Sequence, residues 1–300
     1  MKTFRRINYW IVMFVITGLY IGINGCQEKR GGNKISVMSY NLRYDNPGDS
    51  SNSWDHRKER LANEILFYNP NFMGIQEGLH HQVEYLKKHL INRKFIGVGR
   101  KDGNTKGEYS AIFYDTTKYE LVPGTDSTMW LSETPGKPSK GWDAVLPRIV
   151  TWGKFKSKLT GKEIYVFNTH FDHRGKTARA ESAKLILKTI KKVAGNKPVV
   201  LTGDFNVPES SKPYKIITSS FMRDAWYISK LDPVGPEATF RGFNVCHPSP
   251  GKARIDFIFV NEELNVNKVA SISNFEKGTF LSDHIPVFSV LSRKNKNDPN

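Results

Sequence analysis

Cysteine is almost missing from this chain: its 300 residues hold two, Cys26 and Cys246. That excludes a disulfide-stapled scaffold and a cysteine-rich zinc module. Acids are short as well, 29 Asp and Glu against 45 Lys and Arg, a formal charge of +16. Such a balance predicts attraction to anions (nucleic acid, phosphate esters or anionic membrane surfaces) without choosing among them, and it also serves solubility. No apolar run reaches the roughly 20 residues that a comfortable membrane span needs. From Ile35 to Leu291 there is no long linker, internal repeat or low-complexity tract, and no long apolar insertion that would mark a lipid-penetrating loop. What remains is 38 % hydrophobic and 25 % charged, the composition of a globular body rather than a disordered one.

The N-terminus reads as an export segment. Lys2, Arg5 and Arg6 precede an apolar run from Tyr9 to Ile23, which fits the h-region of a secretory signal peptide. The run ends in Ile23-Asn24-Gly25-Cys26, which looks like a bacterial lipobox with Cys26 as the lipid attachment point. The alternative is an uncleaved anchor with an incidental cysteine. Residues 1–25 carry three basic residues and no acid, so their removal leaves +13 on the mature chain. Residues 26–34 read as a polar tether and 293–300 as a polar tail.

The body, 35–292, reads as one domain. Strands are expected at Ile35–Leu42, Phe72–Gln76, Tyr109–Tyr114, Tyr119–Val122, Ile149–Lys156, Glu163–Asn168, Pro198–Leu201, Ile255–Val260 and Ile285–Leu291. Helices are expected at Arg57–Tyr68 (Leu61, Ile65 and Leu66 on one side), His80–Leu90, and Lys176–Val193 with a stripe of Ala183, Ile186, Leu187, Ile190 and Val193. Strands outnumber helices, and many are sequence neighbours. They cannot all be joined by crossover helices, so antiparallel or mixed sheets covered by helices follow.

Chemistry-bearing residues gather at strand ends. Asn41 closes Met38-Ser39-Tyr40-Asn41, Glu77 closes Gly74-Ile75-Gln76-Glu77, and His170 follows Asn168-Thr169. Asp204 and Asn206 follow Val199–Gly203, Asp256 lies within Arg254–Phe259, and Asp283-His284 precedes Ile285-Pro286-Val287. Singly, these are turn formers, caps or a satisfied core histidine. Asp256 is the exception, because a carboxylate between apolar strand neighbours is costly without a partner. Packed side by side, the ends would bring carboxylate, carboxamide and imidazole to one rim. Oxygen donors without cysteine favour Mg²⁺, with Mn²⁺ or Ca²⁺ as alternatives. Two histidines beside them suit proton transfer at a phosphoryl group, and the set suits phosphate ester hydrolysis.

At this point the sequence resembles the endonuclease/exonuclease/phosphatase superfamily, which includes deoxyribonucleases, sphingomyelinases, inositol phosphatases and nocturnin-like deadenylases. Ser-Tyr-Asn-Leu, Gly-Ile-Gln-Glu, Asn-Thr-His, Gly-Asp-Phe-Asn, Ile-Asp-Phe-Ile and Ser-Asp-His occur in the family's order. The resemblance implies an α/β four-layer sandwich, two mixed β-sheets face to face with helices outside, and the site at one rim. It implies Asn41 and Glu77 as the main metal pair, with Asp283 near the metal. Asp204 would activate or orient water, with Asn206 beside it at the phosphate. His170 and His284 would act at the phosphate, with Asp256 orienting His284. Glu108 is the implied acid partner of His170, and Arg148 resembles a phosphate-binding arginine, with an exposed strand-edge arginine as the alternative. Asn41–Asn46, Trp130–Pro135, Gly141–Asp143 and Asn168–His173 resemble one bacterial branch of unassigned substrate. Asp172 and His173 read either as part of its site or as a loop cap, and Trp54, Trp130 and Trp142 as cleft walls or core.

The expected function is therefore divalent-metal-dependent hydrolysis of phosphodiester bonds, with a phosphomonoesterase or sphingomyelinase-like activity as the alternative. A non-catalytic binding module is disfavoured, because Glu77, Asp204 and His284 are all present. The expected partners are a phosphate-ester substrate, nucleic acid among the candidates, and a membrane reached through the N-terminal lipid. A monomer in the cell envelope, facing the periplasm, is the expected state.

Overall fold

A computed structural model describes residues 34–246 and 253–294. The export segment 1–25, Cys26, most of the tether and the end of the polar tail lie outside the described residues.

In chain order the elements are β1 (Ile35–Asn41), α1 (Trp54–Tyr68), β2 (Phe72–Gln76), α2 (His80–His89), β3 (Arg93–Ile96), β4 (Ile112–Asp115), β5 (Tyr119–Leu121), β6 (Ser127–Trp130), β7 (Ile149–Ser157), β8 (Glu163–His170), α3 (Lys176–Ala194), β9 (Val199–Asp204), α4 (Lys212–Thr218), β10 (Met222–Asp224), β11 (Asp256–Asn261), β12 (Leu264–Ser271), β13 (Phe275–Glu276), β14 (Thr279–Phe280) and β15 (Val287–Arg293). One sheet has the order β12-β15-β1-β2-β4-β3, and the other β10-β11-β9-β8-β7-β5 with β6 beside β7. Each is mixed, because β1–β2 and β8–β9 are parallel pairs among antiparallel ones.

Three apolar layers explain the arrangement. Val37, Phe72, Ile112, Val166, Val200 and Ile258 meet between the sheets. Their strand neighbours Met38, Met73 and Phe113 face the other way, onto Leu61 and Ile65 of α1 and Val83 and Leu86 of α2. Phe167, Leu201 and Phe257 likewise face Ala183, Ile186 and Ile190 of α3 and Ile217 of α4. Both faces of the central strands are buried, which is why they read as continuous apolar runs. The four-layer sandwich follows directly.

Boundaries moved where local chemistry intervened. Leu66 lies on the solvent side of α1, and α1 ends where Asn69 turns left-handed and Pro70 follows. Strands β3, β6, β10, β12, β13 and β14 and helix α4 were not expected. β12 escaped because a bulge between Val266 and Lys268 shifts the phase of its alternation, from Leu264 and Val266 to Val269 and Ser271.

A polar bridge fixes one sheet against the other. Asn168 of β8 donates through Nδ2 to the carbonyls of Ile75 (2.7 Å) and Ala111 (3.0 Å) in the opposite sheet. Its Oδ1 accepts from Gln76 Nε2 at 2.7 Å and Thr202 Oγ1 at 3.0 Å. Gly74 permits the approach, since a Cβ there would stand 2.2 Å from Thr202 Oγ1 and 2.5 Å from Asn168 Oδ1.

Candidate active site

The C-terminal ends of β1, β2, β8 and β9 and the N-terminal end of β11 reach the same rim. Register puts His170 opposite Asp204 and Asp204 opposite Asp256. The bridge at Asn168 lies two residues below His170, so it aligns the rim as well as the core. Arg57 contributes too. Buried on α1, it donates to the carbonyls of Leu42, Arg43 (2.6 Å) and Leu281 (3.2 Å). Ser282 Oγ donates to the Asn41 carbonyl at 2.7 Å. These bonds tie the exit of β1 to the segment carrying Asp283 and His284. Sequence reading passed over Arg57, although its place four residues before Leu61 and eight before Ile65 sets it on the apolar stripe.

Asn41 is the hub on the sheet of β1. Its Nδ2 donates to Glu77 Oε1 at 3.1 Å and to Asp204 Oδ2 at 3.0 Å, joining residues from both sheets. Glu77 has φ +64°, a left-handed backbone rare for a side-chain-bearing residue, and its second oxygen accepts from the Tyr44 amide at 3.1 Å. Asp283 lies 3.6 Å from Arg43 Nη1.

The two histidines are held in opposite states. His284 Nδ1 meets Asp256 Oδ2 at 2.8 Å, and its Nε2 is 3.8 Å from Asp204 Oδ2. Burial opposes a charge there, but Asp256 and Asp204 outweigh it and hold the ring protonated well above the ordinary range. His170 is driven the other way by burial, reinforced by the positive Arg148 and Arg100, and is neutral. Asn206 Nδ2 donates to the Phe171 carbonyl at 3.0 Å, which fixes the orientation of its amide, so the same nitrogen 3.0 Å from His170 Nε2 is a donor as well. The neutral ring therefore carries its proton on Nδ1, facing Glu108 Oε2 at 3.9 Å. Arg100, also missed in the sequence, pairs with Glu108 from the far side.

Asp204 is 1 % exposed. Burial, then the negative Asp256, push its carboxyl up to about 7. Burial raises Asp283 and Glu108 also, with the charge of Glu77 adding to each. Asp256 Oδ1 is buried without a hydrogen-bond partner. Crowded, desolvated carboxylates of this kind fit a divalent cation, whose charge would settle all of them. Two groups, Glu77–His170–Asp204 and Asp204–Asp256–His284, each bring three ligand atoms within 4.8 Å of one another and could hold an ion. Asn41 joins Glu77 to Asp204 through the contacts above, and Asp283 lines the same cavity.

Glu77, Glu108, His170, Asp204, Asn206, Asp283 and His284 line a cavity of about 470 Å³, together with Arg43, Tyr44, Leu146, His173 and Phe240. Arg148 is buried at its wall. One guanidinium nitrogen lies 3.2 Å from His173 Nδ1, another lies 3.6 Å from Asp172, and Nη1 makes no hydrogen bond. Asp172 is a loop organiser. It accepts from the amides of Val145, Leu146, Arg174 and Gly175 at 2.8–3.2 Å, while its neighbour His173 lines the cavity. Trp54 and Trp130 are buried away from the cavity, and Trp142 does not line it.

The model of the Endonuclease/Exonuclease/phosphatase family matches residues 38–284. An endonuclease/exonuclease/phosphatase from Bacteroides vulgatus is 41 % identical over 87 % of this chain and 99 % of its own, with a TM-score of 0.83. A mannosyl-6-phosphatase from Bacteroides thetaiotaomicron is 39 % identical over 86 % and 99 %, with a TM-score of 0.81. Among curated proteins, the CCR4-Not complex 3'-5'-exoribonuclease subunit Ccr4 of Mycosarcoma maydis is 22 % identical over 87 % of this chain but 50 % of that protein.

Proposed function

This chain belongs to the endonuclease/exonuclease/phosphatase family, hydrolases of phosphate esters, and from that premise we propose that it cleaves small phosphomonoesters of the sugar phosphate class with a divalent cation, Mg²⁺ first. The observation that carries this reading is the cavity. At about 470 Å³ it has the size of a small-molecule site, with the acids and histidines on its floor and Arg148 on its wall. The sugar-phosphate class is supported by the Bacteroides thetaiotaomicron phosphatase, at 39 % identity. Phosphodiester cleavage at the end of an RNA strand is the second reading, favoured by the exoribonuclease relative.

Glu77, Asn41 and Asp283 would hold the cation, which when bound polarises a phosphoryl oxygen. Asp204, as carboxylate, orients the attacking water and takes its proton. A carboxyl tuned near neutrality suits that transfer. Protonated His284, kept in place by Asp256, donates to the phosphoryl oxygen as negative charge develops. Asn206 and His170 border the same position, and the unpaired Nη1 of Arg148 offers a further donor to the substrate's anionic group.

We also propose that the mature chain is monomeric and lipid-anchored at Cys26, facing the periplasm. Mass spectrometry of the mature N-terminus tests the anchor, and an intact Met1 refutes it. The catalytic reading is tested by a panel of sugar phosphates, bis(p-nitrophenyl) phosphate and a short oligoribonucleotide with Mg²⁺. Turnover of the monoesters, abolished by Asp204→Asn and His284→Ala, is the expected result. Oligonucleotide trimming without monoester turnover would replace it by the second reading.

A further inference from the structure

The strand ends that build the site leave a second rim at the other end of the sandwich. There the turns are joined into one surface. The Asn71 amide bonds to the Ser36 carbonyl and the Asp115 amide to the Asn71 carbonyl, each at 2.9 Å. The Thr116 amide bonds to the Asn92 carbonyl and the Lys158 amide to the Lys118 carbonyl, also at 2.9 Å. Arg293 spans the two sheets by donating to the Glu163 carbonyl, and Arg93 donates to Asn69 Oδ1, which draws in the end of α1.

On this rim stand Phe67 and Leu159, each 81 % exposed, and Ile91, 75 % exposed. They are the three most exposed large apolar side chains among the described residues. Single exposed apolar residues are ordinary, but here the three leaders share one rim of turns, where water gains nothing from them. Exposed Lys94, Lys118, Lys158 and Lys162 stand on the same turns and strand starts; Lys118 lies 3.8 Å from Asp115, and Glu163 faces Lys154 at 3.3 Å. The described body also begins here, at Lys34 beside the first residue of β1, and the 33 residues before it include the apolar run Tyr9–Ile23.

We propose that this rim is the docking surface of the body for an anionic phospholipid bilayer. The proposal rests on the envelope-anchored reading given above. Phe67, Ile91 and Leu159 enter the interfacial layer, and the lysines meet lipid phosphates around them. Since β1 rises about 3.3 Å per residue from Ile35 to Asn41, the cavity then opens on the far side, about 20 Å from the lipid, toward dissolved substrates.

The test is lysine footprinting of the full chain, purified from membranes, with an acetylating reagent. It is mixed with vesicles of phosphatidylglycerol and phosphatidylethanolamine, or of phosphatidylcholine alone. Acetylation of Lys118, Lys158 and Lys162 is expected to slow about fivefold or more on the anionic vesicles only, with the exposed Lys137 and Lys140, on the loop that joins β6 to β7 at the other end of the sheet, unchanged. Phe67→Ser/Ile91→Ser/Leu159→Ser should abolish the slowing and leave phosphatase turnover intact, since all three side chains are exposed. The same digest reports acylation of Cys26. A chain that is acylated and vesicle-bound but equally reactive on both rims overturns the docking surface and leaves the anchor standing. Without acylation the rim should still slow on added vesicles, and failure to do so overturns it too. Slowing that follows protein concentration without vesicles identifies a second copy on the rim, and also overturns it.

Discussion

Asn168→Ala probes the join between the two sheets. The wild-type side chain makes four buried hydrogen bonds, two of them to backbone carbonyls of the opposite sheet. Three partners keep a second bond: Gln76 to the Gly74 carbonyl, Thr202 to the Phe167 carbonyl, and the Ala111 carbonyl from the Ile75 amide. The loss is therefore less than four orphaned groups. Taking about 1 kcal/mol for each lost bond and the cavity of a carboxamide as a further contribution gives about 3–5 kcal/mol. Asn168→Asp, almost the same shape, should cost more, because it sets a carboxylate against the Ile75 and Ala111 carbonyls. Urea unfolding followed by tryptophan fluorescence, with Mg²⁺ present, measures both. A loss under about 1 kcal/mol for the alanine variant, or an aspartate variant no worse than alanine, would refute the idea that this carboxamide registers the sheets.

Glu64 on α1 gives a pH prediction away from the cavity. Burial pushes its carboxyl from 4.5 up to about 7, outweighing the Asn274 hydrogen bond at 3.0 Å. The folded chain thus holds that proton more tightly than the unfolded chain, so stability from Glu64 is full below pH 4.5 and lost as pH rises to about 7. Glu64→Gln should match wild type at pH 4 and exceed it at pH 8 by up to about 3 kcal/mol, and parallel stability profiles would show the assignment wrong. For the cation, adding Mg²⁺ at pH 8 to chelator-treated protein should stabilise it by about 2.7 kcal/mol at a hundred times the dissociation constant. The gain should shrink at pH 5, where Asp204 takes up its proton and the negative charge beside the cation falls, and a gain independent of pH, or none, would count against a cation bound among these carboxylates. Arg148→Lys should raise KM for a phosphomonoester at least tenfold and change kcat little, because the lysine keeps the charge but loses the planar, multiply donating guanidinium at the cavity wall; a fall confined to kcat would move Arg148 from substrate binding to the chemical step.

The sequence determined which central strands form and what chemistry gathers at their ends. Strands buried on both faces show themselves as apolar runs, and a carboxylate such as Asp256 inside one stands out because its burial demands a partner. β12 stayed hidden because its bulge breaks the alternation, and Arg57 and Arg100 because a buried arginine looks like any surface arginine until its carbonyl or carboxylate partners arrive from elsewhere. Only the tertiary structure decided which groups meet. Asn41 and Asp204 are 163 residues apart, and no local periodicity encodes their 3.0 Å contact. The opposite charge states of His170 and His284 were likewise out of reach, since each depends on which buried charges the fold sets around an identical ring: two arginines for one, two carboxylates for the other.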